Sequence, residues 1–518
     1  MRDTRPRRDL LRRAAGLALA GLGPVPFAGC APAARRVASD PFTLGVASGC
    51  PEPDGVVLWT RLAPDPRAAD GGLDPLPVEV RWEVAEDDAF RRIVRGGGTT
   101  AVPDRAHAVH VEVDGLRPAR GYFYRFHAAG ATSPVGRTQT APAAGAPHRR
   151  MRLALASCQH YEQGHYGAYR HMAAEDVDLV VHVGDYIYES SWGRDHVRKH
   201  WTPEPKTLDG YRVRYAQTKT DPDLQRMHAA APWLATWDDH EVENDYANDR
   251  SQTLAPDFLA RRAAAYRAYF EHLPLRALAR PVGADARIYG RWAFGDLAEC
   301  FVLDDRQYRS HQSCPRPGRG GSNVVENCAE LFDPARTMLG AEQERWLARG
   351  LRDARGRWTV IAQQTLFARF DTRPGPGERF WTDGWSGYPA AAARLTRDLV
   401  DSRARNPLVL GGDVHAHYVC DLKSDWSDPA SKTVATEFCG TSITSQSLPQ
   451  AQIDAGVREN PNVLLGDGTK RGYVVLDLER ERCTARLRTI DDVKRADTGV
   501  STRATFVVED GRPGAQRA

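Results

Sequence analysis

The stretch VDLVVHVGDYIY, residues 177–188, decides the fold, because an apolar run ends there in a cluster of ionisable side chains led by Asp185. Two further apolar runs end in the same way. RLALAS leads directly to Cys158, and NPLVLGG leads to DVHAH at residues 413–417. Buried strands carry such groups out of the core at their carboxyl ends, where the following loops have room for ligands. The sequence therefore indicates a site at the edge of a sheet.

The region that contains these runs alternates apolar strands with helical segments. AEQERWLARGL at 341–351 has helical spacing, whereas WTVIAQQ at 358–364 and GYVVLDL at 472–478 are strand-like. Mixed strands and helices over this length predict a layered α/β sandwich with its sheets inside.

The preceding region, residues 41–142, shows the alternation of half-buried strands. VEVRWEV at 78–84 is one example, and turn signals such as Asp114-Gly115 separate the runs. This pattern predicts a small antiparallel β-sandwich. The segment APAAGAPHRR, residues 141–150, has the composition of a linker.

Length and composition place the chain among globular proteins with ample core. It has 518 residues, 42% hydrophobic and 26% charged, which suggests two or more domains. The formal net charge is only +3, and no Lys/Arg block or basic aromatic stripe follows the first thirty residues. A nucleic-acid partner is therefore not predicted.

The first thirty residues have the pattern of an export signal peptide. Arg7 and Arg8 precede a short, weakly apolar Gly/Ala-rich stretch that is too short to span a membrane. Paired arginines resemble a twin-arginine (Tat) signal, which would make the Tat machinery a partner and imply export of a folded protein. The alternative is a basic amphipathic start of a cytosolic protein.

The end of that segment leaves two alternatives for the mature N-terminus. Phe27-Ala28-Gly29-Cys30 resembles a lipoprotein box, in which Cys30 would carry a lipid anchor. Ordinary cleavage nearby is the other. The expected location is thus periplasmic, secreted or lipid-anchored at the cell surface.

Export permits disulfides, and the chain has nine cysteines. Cys314 and Cys328 flank a Gly/Pro/Arg-rich loop and are candidates for one bridge. Cys420 and Cys439 follow neighbouring late strands and are candidates for a second. Each of the four could instead be a buried thiol, because connectivity cannot be deduced from sequence.

The first two polar clusters favour a metal site. A carboxylate at Asp185 is expensive to bury without a cation or hydrogen-bond partners, and one turn could aim Asp185 and Tyr188 at the same ion. A phenolate is a hard donor suited to Fe(III). Taken alone, this stretch is more often a structural turn, and a lone Cys158 is more often a core residue.

Two later clusters add candidate ligands. In WDDHE, residues 237–241, Asp239 is a candidate ligand and His240 a candidate proton donor, the alternative being a charged helix start. In DVHAH, an extended backbone would place Asp413, His415 and His417 on one face.

The order GDxxY, xxHE and GxxHxH resembles the calcineurin-like metallophosphoesterases, especially purple acid phosphatases. The closer resemblance is to PhoD-type alkaline phosphatases/phosphodiesterases and covers nearly the whole chain. Further stretches that carry it are ASCQ at 156–159, RTMLGAEQERWL at 336–347, EFCGTSITS at 437–445 and VASGCPEPDGVVLWTRL at 46–62.

The resemblance implies a four-layer α/β/β/α metallophosphoesterase sandwich preceded by a small all-β fibronectin type III-like domain. The expected division is an export signal at 1–30, a β-sandwich at 41–142 and a catalytic domain at 151–490. Residues 491–518 would form a C-terminal tail or cap that could gate the cleft. The insertion from about 190 to 230 would contact substrate or merely pack.

The resemblance also implies an iron/calcium centre. Cys158 stands in place of the usual opening Asp-x-His, so Fe(III) would be held by a mixed donor set: Cys158, Asp185, Tyr188 and His415. One or two Ca²⁺ ions would be held by carboxylates, with Asp185, Asp239 and Asp413 as ligands. Gln364 lies where a histidine ligand is expected, and its role is open.

The implied activity is phosphoester hydrolysis by a metal-bound hydroxide, with Asp185 bridging the ions and His240 donating a proton. His417 would orient the ligands or contact substrate. Substrates are phosphate mono- or diesters, including phospholipids or cell-wall polymers, and the resemblance favours a broad diesterase. The alternatives are a phospholipase D-like phosphodiesterase and a non-catalytic, calcium-stabilised surface binding protein, which would contain no iron.

Overall fold

A computed structural model describes residues 39–402 and 404–518. The leader expected at 1–30, with its paired arginines and Cys30, lies outside the described residues. The strands of the described part are β1 (Val46–Glu52), β2 (Gly55–Arg61), β3 (Val78–Ala85), β4 (Ile93–Ala101), β5 (Ala108–Val113), β6 (Gly121–Ala128), β7 (Ala131–Thr132), β8 (Gly136–Gln139), β9 (Arg150–Ala156), β10 (Leu179–His182), β11 (Trp233–Ala235), β12 (Gly290–Phe294), β13 (Ala298–Val302), β14 (Val324–Val325), β15 (Trp358–Ala362), β16 (Phe380–Trp381), β17 (Pro407–Gly411), β18 (His417–Lys423), β19 (Thr433–Cys439), β20 (Val463–Asp467), β21 (Gly472–Glu479), β22 (Arg482–Ile490), β23 (Val500–Glu509) and β24 (Arg512–Arg517). The helices are α1 (Gly167–Ala173), α2 (Leu208–Lys219), α3 (Pro222–Ala230), α4 (Phe258–His272), α5 (Gly340–Arg352), α6 (Pro389–Asp401) and α7 (Gln450–Glu459).

Two large sheets organise these strands. The first sheet has the order β24-β23-β22-β21-β9-β10-β11-β1-β2-β5, and within it β9, β10 and β11 run parallel. The second sheet has the order β12-β13-β15-β17-β19-β18-β20, and its strands β13, β15, β17 and β19 run parallel. Strands β9, β10 and β17 are the apolar runs that lead to the polar clusters.

The two sheets pack face to face, with helices outside them. Leu153 and Leu155 of β9 share a buried core with Val360 and Leu410 of the second sheet. Ala154 points to the opposite face, where α1 to α4 cover the first sheet. Helices α5, α6 and α7 cover the outer face of the second sheet. Because both faces of each sheet are buried, the strands have continuous apolar runs. The predicted four-layer α/β/β/α sandwich is confirmed.

An all-β region precedes these layers, as expected. Strands β3, β4, β6, β7 and β8 form a separate antiparallel sheet. Its core residues Val80 and Tyr124 pack with Val56 and Leu58 of β2. Strand β1 pairs in parallel with β11, so the β1-β2-β5 layer continues directly into the first large sheet. The division at residues 141–150 stays a prediction.

The C-terminal residues do not form the expected tail or cap. Strands β23 and β24, which span residues 500–517, pair antiparallel beside β22 and form one edge of the first sheet. Their apolar side chains Phe506 and Val508 are buried in the core between the sheets. Alternating side chains that supply core cannot leave the sheet without exposing it, so the prediction was wrong for these residues.

One of the two candidate disulfides is present. Cys314 and Cys328 are bonded, with their Cα atoms 6.3 Å apart. Cys420 and Cys439 are both free and buried. In the β18–β19 ladder, Cys420 lies opposite Glu437, and Cys439 lies opposite Tyr418. The thiols are therefore diagonal neighbours, and the prediction of a second bridge was wrong because the strand register separates them.

The insertion after the second polar cluster contains α2 and α3 and packs closely on the site. The guanidinium of Arg214 in α2 is buried and donates hydrogen bonds to the backbone carbonyls of Tyr188 and Glu189. None of the helices in the described residues combines the length and the apolar character needed to cross a bilayer.

Candidate metal centre

The carboxyl ends of strands from both large sheets bring the predicted ligands together. Cys158 follows β9, Asp185 follows β10 and His415 follows β17. One donor atom from each of these side chains lies within 4.8 Å of the others. We call Cys158, Asp185, Tyr188 and His415 the mixed-donor group.

Strained backbone conformations occur at four of the candidate ligands. Cys158, Asp185, Asp413 and His415 have φ values of 60°, 56°, 64° and 53°, in the left-handed region. Each such residue costs on the order of 1–3 kcal/mol and persists only where the surroundings enforce it, as at functional sites. The extended backbone expected for residues 413–417 is therefore wrong at Asp413 and His415.

Glu241 fixes the loop that carries Asp185. Its carboxylate accepts hydrogen bonds from the backbone N–H groups of Asp185, Tyr186 and Asp238. At Gly184, φ is +113°, and a Cβ atom would lie 2.4 Å from the Cβ of Asp238. Only glycine permits this approach, which brings the loops after β10 and β11 into contact.

Hydrogen bonds connect the mixed-donor group. The Tyr188 hydroxyl donates to Oδ2 of Asp185 at 2.7 Å, accepts from Ser445 at 2.8 Å and lies 3.0 Å from Nε2 of His415. Nδ1 of His415 lies 2.8 Å from the carbonyl of Gln446. That contact places the imidazole proton on Nδ1 and leaves the Nε2 lone pair facing the site. One phenol proton cannot serve both Asp185 and His415, so a cation fits between them.

Burial favours the neutral forms of the thiol, the phenol and the imidazole in this group. It raises the pKa values of the Cys158 thiol and the Tyr188 phenol well above their usual range, and the nearby Asp185 charge adds to both shifts. Burial also lowers the pKa of His415 to about 3, which favours the neutral imidazole that ligates metals. A bound cation would reverse the thiol and phenol shifts, because it favours the anionic forms.

A second group consists of carboxylates. Donor atoms of Asp238, Asp239 and Asp413 lie within 4.8 Å of one another, and we call these residues the aspartate group. One buried oxygen of each, and Oδ1 of Asp185, lacks a hydrogen-bond partner. Orphaned carboxylate oxygens at such depth are costly unless a cation binds them. Hard oxygen donors of this kind suit calcium.

One buried guanidinium partly balances the aspartate group. Arg306 contacts Asp238, lies 3.4 Å from Asp239 and pairs with Asp383 at 2.6 Å. Burial raises the pKa values of Asp238 and Asp413 well above normal. Sequence reasoning assigned no role to Arg306, Asp383 or Asp238. The sequence offers two hints of this network. Asp238 is adjacent to Asp239, and Arg306 follows two aspartates in LDDRQYR, residues 303–309.

His240 lies between the two groups. Its Nδ1 is 2.7 Å from Oε2 of Glu189, and its ring centroid is 4.2 Å from that of Tyr188. Burial lowers the pKa of His240, but Glu189, Asp239 and Asp185 outweigh burial and raise the pKa well above normal. The imidazolium is thus a strong candidate proton donor. The partnership with Glu189 was not anticipated from sequence.

The remaining predicted positions have other contacts. His417 begins β18, and its Nδ1 accepts the backbone N–H of Thr441 at 3.2 Å. Its contact with substrate stays a prediction. Gln364, at the expected position of a histidine ligand, donates to Thr236 and to the carbonyl of Leu303. It therefore ties loops of the two sheets together.

A four-layer α/β/β/α sandwich with thiol, phenol, imidazole and carboxylate donors across the strand ends defines the chain as a metallophosphoesterase. Comparisons with known proteins narrow this class. The sequence model for PhoD-like phosphatase matches residues 153–487, and that for the N-terminal domain of PhoD-like phosphatases matches residues 29–142.

Two relatives agree with the family models. Alkaline phosphatase D of Bacillus subtilis (strain 168) is 44% identical over 498 residues, which cover 94% of this chain and 84% of that protein. The solved structure of PhoD matches with a TM-score of 0.89 and 43% identity over 94% of this chain and 93% of that chain. The chain belongs to the PhoD-like phosphatase family and is a phosphoesterase. The alternative of a non-catalytic binding protein is set aside.

Proposed function

We propose that this chain is an exported phosphoesterase that uses iron and calcium to hydrolyse phosphate diesters of broad structure. The observation that carries the proposal is the convergence of thiol, phenol, imidazole and carboxylate donors at one place, where four aspartates each present a buried oxygen without a hydrogen-bond partner. Fe(III) would be held by the mixed-donor group, Cys158, Asp185, Tyr188 and His415. One or two calcium ions would be held by carboxylates, with Asp185, Asp239 and Asp413 as ligands.

Asp185 is the natural link between the two groups. Oδ2 of Asp185 contacts Tyr188, whereas Oδ1 has no hydrogen-bond partner. The donor atoms of Asp185 and Asp239 also lie within 4.8 Å of each other. When bound, such ions lower the pKa of water and neutralise charge on a phosphoryl group. The chain itself supplies the orientation, through Glu241 and the strained backbone.

His240 is positioned to supply the proton that a leaving alkoxide requires. Glu189 holds the imidazole through Nδ1 and accepts a second hydrogen bond from the backbone of Asn244 at 2.9 Å. Nε2 of His240 is then left to act on substrate. General acid catalysis of this kind contributes roughly 100- to 10,000-fold.

A groove beside the centre supports broad specificity. It has a volume of about 330 Å³ and lies next to Gln446, the partner of His415. Its Lys494 pairs with Asp195 at 3.5 Å, and its Lys470 pairs with Asp491 at 3.3 Å. The lining also contains Arg194, Arg471 and Asp492, and a wall with charges of both signs does not select strongly by charge. We therefore expect several diesters to be accepted, with phospholipids as the alternative preferred class.

Export is supported by two features. The sequence at 1–30 has paired arginines ahead of a short apolar stretch, and Cys314 and Cys328 form a disulfide. Disulfides persist in oxidising compartments. Mass spectrometry of the mature N-terminus would distinguish cleavage from lipidation at Cys30, and export should fail when Arg7 and Arg8 are both replaced by Lys.

The test of the centre combines metal analysis with catalysis. The purified chain should contain iron and calcium, show a thiolate or phenolate charge-transfer band and hydrolyse bis-p-nitrophenyl phosphate until chelated. Cys158→Ala should lose iron and most activity. The matched control is Cys300→Ala, which removes a buried thiol from β13. Iron-free, colourless protein that remains inactive after reconstitution would refute the proposed centre. Faster hydrolysis of a phosphatidylcholine than of bis-p-nitrophenyl phosphate would favour the phospholipase D-like alternative.

A further inference from the structure

A second cluster of side chains of the types that ligate metals lies outside the proposed catalytic centre. It contains His160 and Glu162, which follow β9, and His196 and His200 from the insertion. Donor atoms of His160, Glu162 and His200 lie within 4.8 Å of one another. His160 is fully buried, and its Nε2 has no hydrogen-bond partner.

The ring nitrogens of two histidines face one carboxylate oxygen. Nε2 of His196 lies 2.7 Å from the carbonyl of Trp192, so it carries the proton and leaves the lone pair on Nδ1. That Nδ1 lies 3.7 Å from Oε2 of Glu162. Nε2 of His200 lies 3.8 Å from the same oxygen and has no hydrogen-bond partner.

These separations are too long for hydrogen bonds but close to those of ligands that share an ion. Zinc bonds of about 2.0–2.2 Å place two tetrahedral ligands roughly 3.4 Å apart, so each of these nitrogens would need to approach Oε2 by only a few tenths of an ångström. Burial lowers the pKa of His200 to about 4, which keeps the imidazole neutral and able to ligate.

The remaining histidine has a different role. Nδ1 of His160 accepts the backbone N–H of Glu162 at 3.2 Å, which leaves the proton on Nε2. His160 is therefore a donor that needs an acceptor within the cluster. A water completing the coordination of a metal would supply that acceptor.

We propose that Oε2 of Glu162, Nδ1 of His196 and Nε2 of His200 form a second metal site for a divalent transition ion of the Zn²⁺ class. His160 donates to the water in the fourth position. The ion would tie residues 191–200 to the loop after β9. Trp192 in that segment stacks on His415, with ring centroids 5.7 Å apart and planes 8° from parallel. The ion would thus have a structural role beside the catalytic centre.

Zinc uptake by the full-length protein tests the proposal without reference to activity. After equilibrium dialysis against graded free Zn²⁺, metal analysis of the wild type should show one bound zinc equivalent. The His196→Ala variant should bind that zinc at least about 100-fold more weakly, because loss of a residue that only supports a ligand already costs up to about 100-fold in metal affinity. His196 lies at the surface, so its removal should not disturb folding. Glu162→Gln should weaken the same equivalent.

Two controls separate this site from the catalytic centre. His311→Ala removes another histidine with a carboxylate partner, Asp249 at 2.7 Å, and should leave zinc uptake unchanged. Asp185→Asn disables the proposed catalytic centre and should retain the equivalent. Equal uptake by the wild type and His196→Ala would overturn the proposal. Loss of the equivalent in Asp185→Asn would also overturn it, because the zinc would then occupy the catalytic centre.

Discussion

The two halves of the candidate centre differ in how far their side chains satisfy one another. In the mixed-donor group, Tyr188 hydrogen-bonds to Asp185 and Ser445 and lies beside His415. In the aspartate group, each carboxylate has a buried oxygen without a hydrogen-bond partner, and Arg306 is the nearest cation. Neutral donors share protons, whereas adjacent carboxylates repel.

This difference predicts how each half would depend on the ion proposed for it. A buried phenol, thiol and imidazole remain neutral at low cost, so the mixed-donor group can keep its arrangement when empty. Adjacent buried carboxylates must be protonated or paired with a cation. We therefore expect removal of calcium to affect stability more than removal of iron, and removal of either ion to abolish activity.

The largest expected effect comes from Asp185→Asn, because Asp185 is proposed as a ligand of both the iron and the calcium. Loss of Lewis-acid stabilisation worth several kcal/mol should lower kcat/KM for bis-p-nitrophenyl phosphate by about 10,000-fold or more. Metal analysis of the variant should show depletion of both iron and calcium. If the variant keeps all its iron and loses only calcium, Asp185 is a ligand of calcium alone, and the proposed link between the two groups is wrong.

His240→Gln should lower kcat by about 1000-fold, within the usual range for a lost general acid. Iron and calcium contents should not change, because His240 is proposed as a proton donor and not as a ligand. Glu189→Gln should have a smaller effect, since it only loosens the imidazole that Glu189 holds. Steady-state kinetics with metal analysis would check both variants. Depletion of a metal in His240→Gln would make His240 a ligand.

Arg306→Met probes the aspartate group directly. Removing one partner of a buried ion pair typically costs about 3–5 kcal/mol, because the remaining charges are uncompensated. We expect that loss in denaturant unfolding of the chelated protein and a smaller loss in excess calcium, where the ion replaces the missing charge. Equal losses with and without calcium would show that the aspartate group holds no ion.

The smallest effect is expected for Asp477→Asn, because arginine side chains already balance the charge of Asp477. Burial raises its pKa, but hydrogen bonds from Arg152, Arg150 and Arg486 outweigh burial and lower it to about 2. Because the folded pKa lies below the unfolded value, the stabilisation is present above pH 4 and is lost as pH falls towards 2. Asp477→Asn should therefore cost only about 1 kcal/mol at neutral pH, because solvent screens these partly exposed pairs.

This variant also serves as the control for the comparison. Chelation should not change the cost of Asp477→Asn, since its charge is balanced by arginines on β9 and β22. Thermal unfolding with and without chelator would measure the difference. A chelator-dependent cost would mean that the metals stabilise the whole first sheet and not the centre alone.

Sequence reasoning brought Cys158, Asp185 and His415 together because each follows an apolar run whose continuity marks a strand buried on both faces. Their role as metal ligands stays a prediction. Sequence reasoning also found the Cys314–Cys328 bridge, since both cysteines flank one short loop. It failed for Cys420 and Cys439, whose separation depends on strand register. It also failed for residues 500–517, whose alternating pattern was not recognised as edge strands.

The sequence by itself determined the layers and the donor types, because strand periodicity and the chemistry of thiol, phenol, imidazole and carboxylate are local properties. The tertiary structure alone decided which charges meet. Arg306 reaches Asp238 across 68 residues, and Glu189 reaches His240 across 51. It also decided the left-handed backbone at Asp413 and His415, because only the packing of two sheets can enforce a strained conformation.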